Sequence, residues 1–311
     1  MNYRKLATPL VLSLAGLVLA SCSSPSATVS PGATGAASAD AAPIAVVAST
    51  NVWGNLAATI GGDKVAVTSI IDDPSKDPHE YEASAQNQLA LSKAQVVIEN
   101  GGGYDDFVDT MLASANNSSA TVLNAVTISG KTAPSGGELN EHVWYDFPTV
   151  EKVIDQIQTA YASIDSADAD TFATNAKNLK GSIDALVSKE SDLKAKYAGQ
   201  PVSITEPVPL YLLDAISLVN KTPEKFSEAI EEDSDVAPAV QQATLKLYNS
   251  HAVKLLAYNE QTTGPETEAV LKAAKDNGIP VVPVTETLPD GKDYVSWMTD
   301  NLDAIGAALA R

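Results

Sequence analysis

The chain has 311 residues, 39 of them acidic and 20 basic, for a formal charge of −19. That balance excludes the basic face that a nucleic-acid binder needs to replace counterions. One cysteine excludes an intrachain disulfide, and 44% hydrophobic residues suffice for a real core.

Residues 1–22 read as an export signal. Arg4 and Lys5 give a positive start, and residues 6–20 (LATPLVLSLAGLVLA) form an apolar run of about 15. That is short of the roughly 20 residues needed to span a bilayer. The run ends in Leu19-Ala20-Ser21-Cys22, which resembles a bacterial lipobox with Cys22 as the acylated mature N-terminus. An ordinary cleaved signal with a chance cysteine is the plainer alternative. Cleavage after residue 21 removes two cations and no acid, leaving −21. Residues 23–43 are almost wholly Ser, Ala, Pro, Gly and Thr, a composition with nothing to bury, so residues 22–43 form a flexible tether.

From residue 44 strands and helices alternate. Ile44–Ser49 (IAVVAS), Val65–Ile71, Gln95–Glu99 and Thr121–Ile128 read as strands, and Val52–Ile60, Ala85–Lys93 and Phe107–Ala115 as helices. Such alternation implies parallel βαβ units. Gly101-Gly102-Gly103 marks a tight turn and a weak phosphate-loop signal, with no GK[ST] to support it. Residues 132–141 read as a loop and Val150–Ala162 as a helix. Asp168 to about Tyr197 reads as a longer helix, with Phe172, Leu179, Ile183, Leu186 and Leu193 on one apolar stripe of about 22 residues, roughly 33 Å at 1.5 Å per residue. Gly199 and Pro201 stop it. The pattern then restarts: Val202–Thr205 strand, Leu210–Leu218 helix, Lys254–Tyr258 strand, Pro265–Asn277 helix, Ile279–Val284 strand and Tyr294–Leu309 helix. The acidic run Glu231-Glu232-Asp233-Ser234-Asp235 lacks calcium-loop spacing and reads as a solvated loop. The expected fold is α/β: a lobe at 44–166, a single long helix at 167–198 and a second lobe at 199–311, each lobe with a parallel-type sheet.

With only three histidines in the chain, their placement is informative. His79 follows the second strand and His142 follows a loop, and both precede a helix. Ligands of open α/β sheets bind beyond the carboxyl ends of strands, which is where both belong. His251 precedes its strand and belongs at the opposite edge, a surface or structural residue. In the second half Glu206 follows the strand Val202–Thr205, with Pro207 and Pro209 stiffening its loop, and Glu286 follows the strand ending at Val284. Two imidazoles and two carboxylates suit Mn²⁺, Fe²⁺ or Zn²⁺. Taken alone, a His or Glu at a strand end is structural more often than functional.

The lipobox, Asp77-Pro78-His79-Glu80-Tyr81-Glu82, Glu141-His142-Val143-Trp144 and the terminal helix together resemble the zinc/manganese ABC-transporter solute-binding lipoproteins, over nearly all of residues 44–311. The resemblance implies two lobes joined by one rigid helix, with one divalent metal in the cleft between them. It implies His79, His142, Glu206 and Glu286 as ligands, the last at a place usually held by Asp. It further implies a lipid anchor at Cys22 on the outer face of the bacterial membrane, a monomer, and an ABC permease with its ATPase as partner. Zinc-dedicated members often use three histidines and a His-rich loop before the second ligand. Here the third ligand position is Glu206 and residues 128–141 hold no histidine, which moves the site towards the harder ligation of manganese-type members, with zinc open and iron a lesser choice. Two other readings stand beside metal capture. One is a surface adhesin, a role described for some members. The other is a secreted metal hydrolase with Glu80 or Glu141 as base, which no HExxH or Gly-x-Ser-x-Gly motif supports.

Overall fold

The computed structural model describes residues 42–73, 81, 84–135 and 137–311; the expectations at Cys22, His79 and Glu80 lie outside the described residues. In the first half the β-branched runs become β1 (Ile44–Thr50), β2 (Val65–Ile71), β3 (Val96–Glu99) and β4 (Thr121–Asn124). Between and after them lie α1 (Asn51–Gly61), α2 (Ala85–Lys93), α3 (Phe107–Ala115), α4 (Ala125–Ser129) and α5 (Phe147–Ile164). The long helix is α6 (Ala169–Tyr197). The second half has β5 (Pro201–Ile204), α7 (Leu210–Ala215), β6 (Val219–Asn220), α8 (Glu224–Glu231), α9 (Pro238–Asn249), β7 (Leu256–Asn259), α10 (Pro265–Asp276), β8 (Val281–Val284) and α11 (Tyr294–Leu309).

All pairings are parallel, and the two sheets share one strand order, β2-β1-β3-β4 and β6-β5-β7-β8. The α/β class with two parallel sheets therefore holds. Alternate strand residues face opposite sides, as the twofold repeat of a strand requires. Val46 and Ala48 enter one core, Val47 another; Ala257 enters the first, Leu256 and Tyr258 a third. The outer faces are covered by α2 and α3 on one sheet and by α8, α9 and α10 on the other. The inner faces meet a single shared core built from α1, α5, α6, α7 and α11. The expected stripe of α6 is buried throughout, from Phe172 (0% exposed) to Leu193 (8%). Each such side chain contributes about 1.5–3 kcal/mol of burial. Gly306 on α11 lets that helix close on α6, since a Cβ there would stand 2.9 Å from Leu193 Cδ2.

Three local expectations are corrected. Thr121–Ile128 is not one strand: the Asn124 side chain accepts from Thr127 N at 2.8 Å and caps α4, ending β4. The helix from Leu210 stops at Ala215, because Ser217 turns left-handed (φ 61°) and the chain enters the short strand β6. Residues 221–253 contain two helices the pattern did not show, each entered through a proline, Pro223 before α8 and Pro238 opening α9.

Candidate metal centre

In the second half the carboxyl ends of three adjacent strands converge. Glu206 lies two residues past β5 and Glu286 two past β8; both are buried, at 2% and 1% exposed. β7 runs between those strands and ends in Asn259, which is fully buried. The Asn259 amide donates to Glu286 Oε1 at 2.8 Å and to Thr262 Oγ1 at 3.2 Å. Backbone ties complete the clamp: Asn259 N donates to Thr205 Oγ1 at 2.9 Å and Glu286 N to Gln261 Oε1 at 2.5 Å. Burial, followed by the charges of Glu286 and Glu231, pushes the Glu206 carboxyl well above its usual range. Its Oε2 is buried and has no hydrogen-bond partner among the described residues. An acceptor held this way is costly unless a cation or proton joins it.

The first half supplies an imidazole. His142 is fully buried where the loop after α4 tightens into a helical turn at Val143–Tyr145. Its Nδ1 lies 2.8 Å from Asn140 Oδ1, which also accepts from His142 N at 3.1 Å. Asn140 Nδ2 donates to Pro207 O at 3.2 Å, so its oxygen must face the histidine. In the neutral imidazole Nδ1 is therefore the protonated nitrogen and Nε2 carries the lone pair, the arrangement by which an outer partner orients a metal-binding imidazole. Tyr104, in the turn after β3, spans the two halves. Its ring meets His142 edge-on at 5.9 Å and its hydroxyl donates to Glu286 Oε2 at 3.2 Å. Trp144 closes the same wall, 4.9 Å from Tyr104 and 5.1 Å from His142.

That turn also answers the phosphate-loop signal. Gly101 to Gly103 all have positive φ, and at Gly101 a Cβ would run into Asn124 at 2.2 Å. The amides of Asn100 and Gly101, however, are taken by the Asp105 carboxylate at 2.6 and 2.7 Å. An acid already sits where a phosphate would.

Further bonds tie the halves around the cleft. Asn51 and Leu288 exchange two, at 3.0 and 2.8 Å; Tyr145 OH donates to Thr285 O at 2.8 Å; Tyr294 OH donates to Trp144 O at 2.5 Å; Tyr211 OH donates to Asn140 O at 2.6 Å.

The structure places Glu206 and Glu286 at neighbouring strand ends and links Glu286 to His142 through Tyr104, while the donors found within 4.8 Å of one another around His142 are those of Glu141 and Glu231; His79 lies outside the described residues. His251 is exposed ahead of β7, at the opposite edge. Sequence reasoning missed Asn140, Tyr104 and Asn259, although Asn259 ends a strand, a position that could have marked it. It also misjudged Glu231, expected in a solvated loop. Glu231 instead ends α8 with its side chain 12% exposed and Oε1 3.3 Å from His142 Nε2. Glu232 to Asp235 are exposed as expected. One imidazole nitrogen, buried carboxylates and an unsatisfied Oε2 fit a divalent transition ion.

Known proteins resemble this chain over most of its length. Residues 46–308 match the model of the family described as zinc-uptake complex component A, periplasmic. The manganese ABC transporter substrate-binding lipoprotein scaA of Streptococcus gordonii is 25% identical over 86% of this chain and 89% of its own. The manganese-binding lipoprotein MntA of Bacillus subtilis is 32% identical over 43% of this chain and 45% of its own. Among solved structures, the periplasmic zinc-binding protein TroA of Treponema pallidum superposes with a TM-score of 0.74 at 17% identity, covering 87% of this chain and 100% of that one. The Mn²⁺ complex of the solute-binding protein FpvC of Pseudomonas aeruginosa gives 0.72 at 19% identity, covering 86% and 98%. Two parallel sheets on a shared helical core, a polar cleft at their carboxyl edges and a family match over nearly the whole described chain lead to one conclusion: the chain belongs to the periplasmic zinc-uptake component A family of metal ABC-transporter solute-binding proteins.

Proposed function

We propose that the chain captures one divalent transition-metal ion in the cleft and delivers it to an ABC permease driven by its ATPase. The ligands are His79, His142, Glu206 and Glu286, and the cargo is Mn²⁺ or Zn²⁺. What supports this reading is a fully buried His142 linked through Tyr104 to Glu286, together with two buried carboxylates at neighbouring strand ends, one of them with an unsatisfied oxygen. Two carboxylates balance a divalent charge, so the loaded site is near neutral and tolerable in a buried place. A donor set richer in oxygen than in nitrogen suits Mn²⁺, while the Irving–Williams order gives Zn²⁺ the higher raw affinity. Selection for manganese then rests on geometry and supply.

The names of the curated relatives support transport in place of catalysis and a lipid-anchored state. In this reading residues 1–21 are removed, Cys22 is acylated, residues 22–43 tether the protein outside the membrane, and a monomer of two lobes, 44–166 and 199–311, works across the strut at 167–198. Among the described residues no helix is long and apolar enough to cross a membrane.

Elemental analysis and isothermal titration calorimetry of the parent and His142→Ala test the reading. The parent should bind one ion per chain and the variant should bind at least ~100-fold more weakly. A variant that holds Mn²⁺ and Zn²⁺ as tightly as the parent sinks it.

A further inference from the structure

Glu231 is the residue whose position the function above does not explain. It closes α8, and its carboxylate faces His142 from the second half of the molecule. Glu141, His142 and Glu231 each offer a donor atom, all within 4.8 Å of one another. The spacing of the closest pair is informative. Two donors about 2.1 Å from one tetrahedral ion stand roughly 3.4 Å apart. Glu231 Oε1 and His142 Nε2 stand 3.3 Å apart, and Nε2 is the nitrogen that the Asn140 contact leaves with its lone pair.

Two cavities meet at this carboxylate. One, of about 660 Å³, opens between the loop before His142 and helices α7 and α8; it is lined by Glu138, Glu141, Glu228, Glu231 and Glu232 among others, with Lys131 as a cation on its wall. The second, of about 510 Å³, is lined by Gly102 and Gly103 and also by Glu141 and Glu231. A second, independent feature is Glu206 Oε2, buried and without a hydrogen-bond partner among the described residues, close enough that the Glu231 charge acts on it.

We propose that Glu231 is a further ligand of the divalent cation, sharing the ion with His142 through Oε1. This rests on the reading of His142 as a ligand. The site then holds three carboxylates, Glu206, Glu286 and Glu231. A third carboxylate raises the coordination number and adds a hard oxygen, which favours Mn²⁺ relative to Zn²⁺, whose structural sites are four-coordinate.

The test uses the mature protein and four variants: Glu231→Ala, the near-isosteric Glu231→Gln, Glu232→Gln as an exposed neighbour on the same cavity, and His142→Ala. Calorimetry with Mn²⁺ and with Zn²⁺ gives affinity and stoichiometry. The visible absorption of bound Co²⁺ reports coordination number, since four-coordinate sites absorb far more strongly than five- or six-coordinate ones. The expected result is one ion per chain throughout the Glu231 variants, Mn²⁺ affinity down at least ~10-fold and Zn²⁺ affinity down less. The Co²⁺ band should intensify in both Glu231 variants and stay unchanged in Glu232→Gln. Mn²⁺ affinity within twofold of the parent, or a weakened affinity with an unchanged Co²⁺ spectrum in both Glu231 variants, overturns the assignment while leaving the function intact. Tight binding by His142→Ala overturns both.

Discussion

The two halves of the molecule share a strand order but deliver their polar groups differently. In the second half Glu206 and Glu286 come directly off strand ends, and Asn259 on the strand between them bonds Glu286. The sheet itself sets their spacing. In the first half His142 comes from a loop, and its orientation depends on Asn140 two residues earlier. That asparagine is held in turn by Pro207 and Tyr211 of the other half. The carboxylate side is thus preorganised by the fold, and the imidazole side by contact across the cleft. In the proposed transport role, ligand exchange has more freedom on the loop-borne side.

The strongest way to break this contrast is on the preorganised side. Glu206→Gln keeps the shape and one acceptor but removes the charge that a buried cation needs. Mn²⁺ and Zn²⁺ affinity should fall by about 100-fold or more, read by calorimetry, with unchanged circular dichroism. The same residue sets a pH dependence. Burial and the neighbouring carboxylates raise the Glu206 pKa, so protons compete with the metal at higher pH than at an ordinary glutamate. Parent affinity should therefore fall as pH falls, with a shallower slope in Glu206→Gln. Equal slopes in the two proteins would remove Glu206 from the metal equilibrium.

On the loop-borne side Asn140→Ala removes the partner of Nδ1 and the tie to Pro207 without touching any proposed ligand. Loss of such an orienting partner costs 10–100-fold in metal affinity as a rule, and a similar drop is expected here. Because the effect acts through orientation, it should appear mainly in the dissociation rate, measured by chelator-chased release. A fall in affinity carried wholly by slower association would contradict the positioning role.

Much of this asymmetry is legible in the sequence, and the missing part has a physical reason. Glu206 and Glu286 stand out because each follows a β-branched strand and sits among prolines and threonines that end it. His142 stands out because histidine is rare in this chain. Strand and helix alternation gives the sheets, and β2, α2, α3 and α11 keep their expected bounds. Helix α8 was invisible because its buried face rests on Phe226 and Ser227 in a sequence otherwise dominated by charge. Its placement comes from packing against α9 and the outer core, where Phe226 joins Tyr248 and Leu256. Glu231 follows from that placement, so no local pattern could separate it from the exposed acids after it. Asn140 and Asn259 share the same obscurity: asparagines are common at loop starts and strand ends, and only the fold shows which ones touch a carboxylate or an imidazole.

The smallest expected effect lies in the strut that both halves share. The apolar stripe of α6 is broken at Glu190, which lies between Leu186 and Leu193 and is 6% exposed. Burial, with a lesser push from the Asp146 charge, raises its pKa to about 8. In the unfolded chain the group ionises near 4.5. The folded state therefore holds a proton that the unfolded state releases across this window. Stability is unaffected below about pH 4.5, declines as pH rises from there, and the loss is complete above about pH 8. Glu190→Gln removes this contribution. Its thermal midpoint should match the parent at pH 4.5 and exceed it at pH 8, by a free energy on the order of 1–3 kcal/mol. Metal affinity at the cleft should not change, because α6 anchors the shared core and contributes no donor to the site. A variant whose stability tracks the parent at every pH would place the Glu190 carboxyl in water, and with it would go the picture of one dry core running from the first sheet to the second.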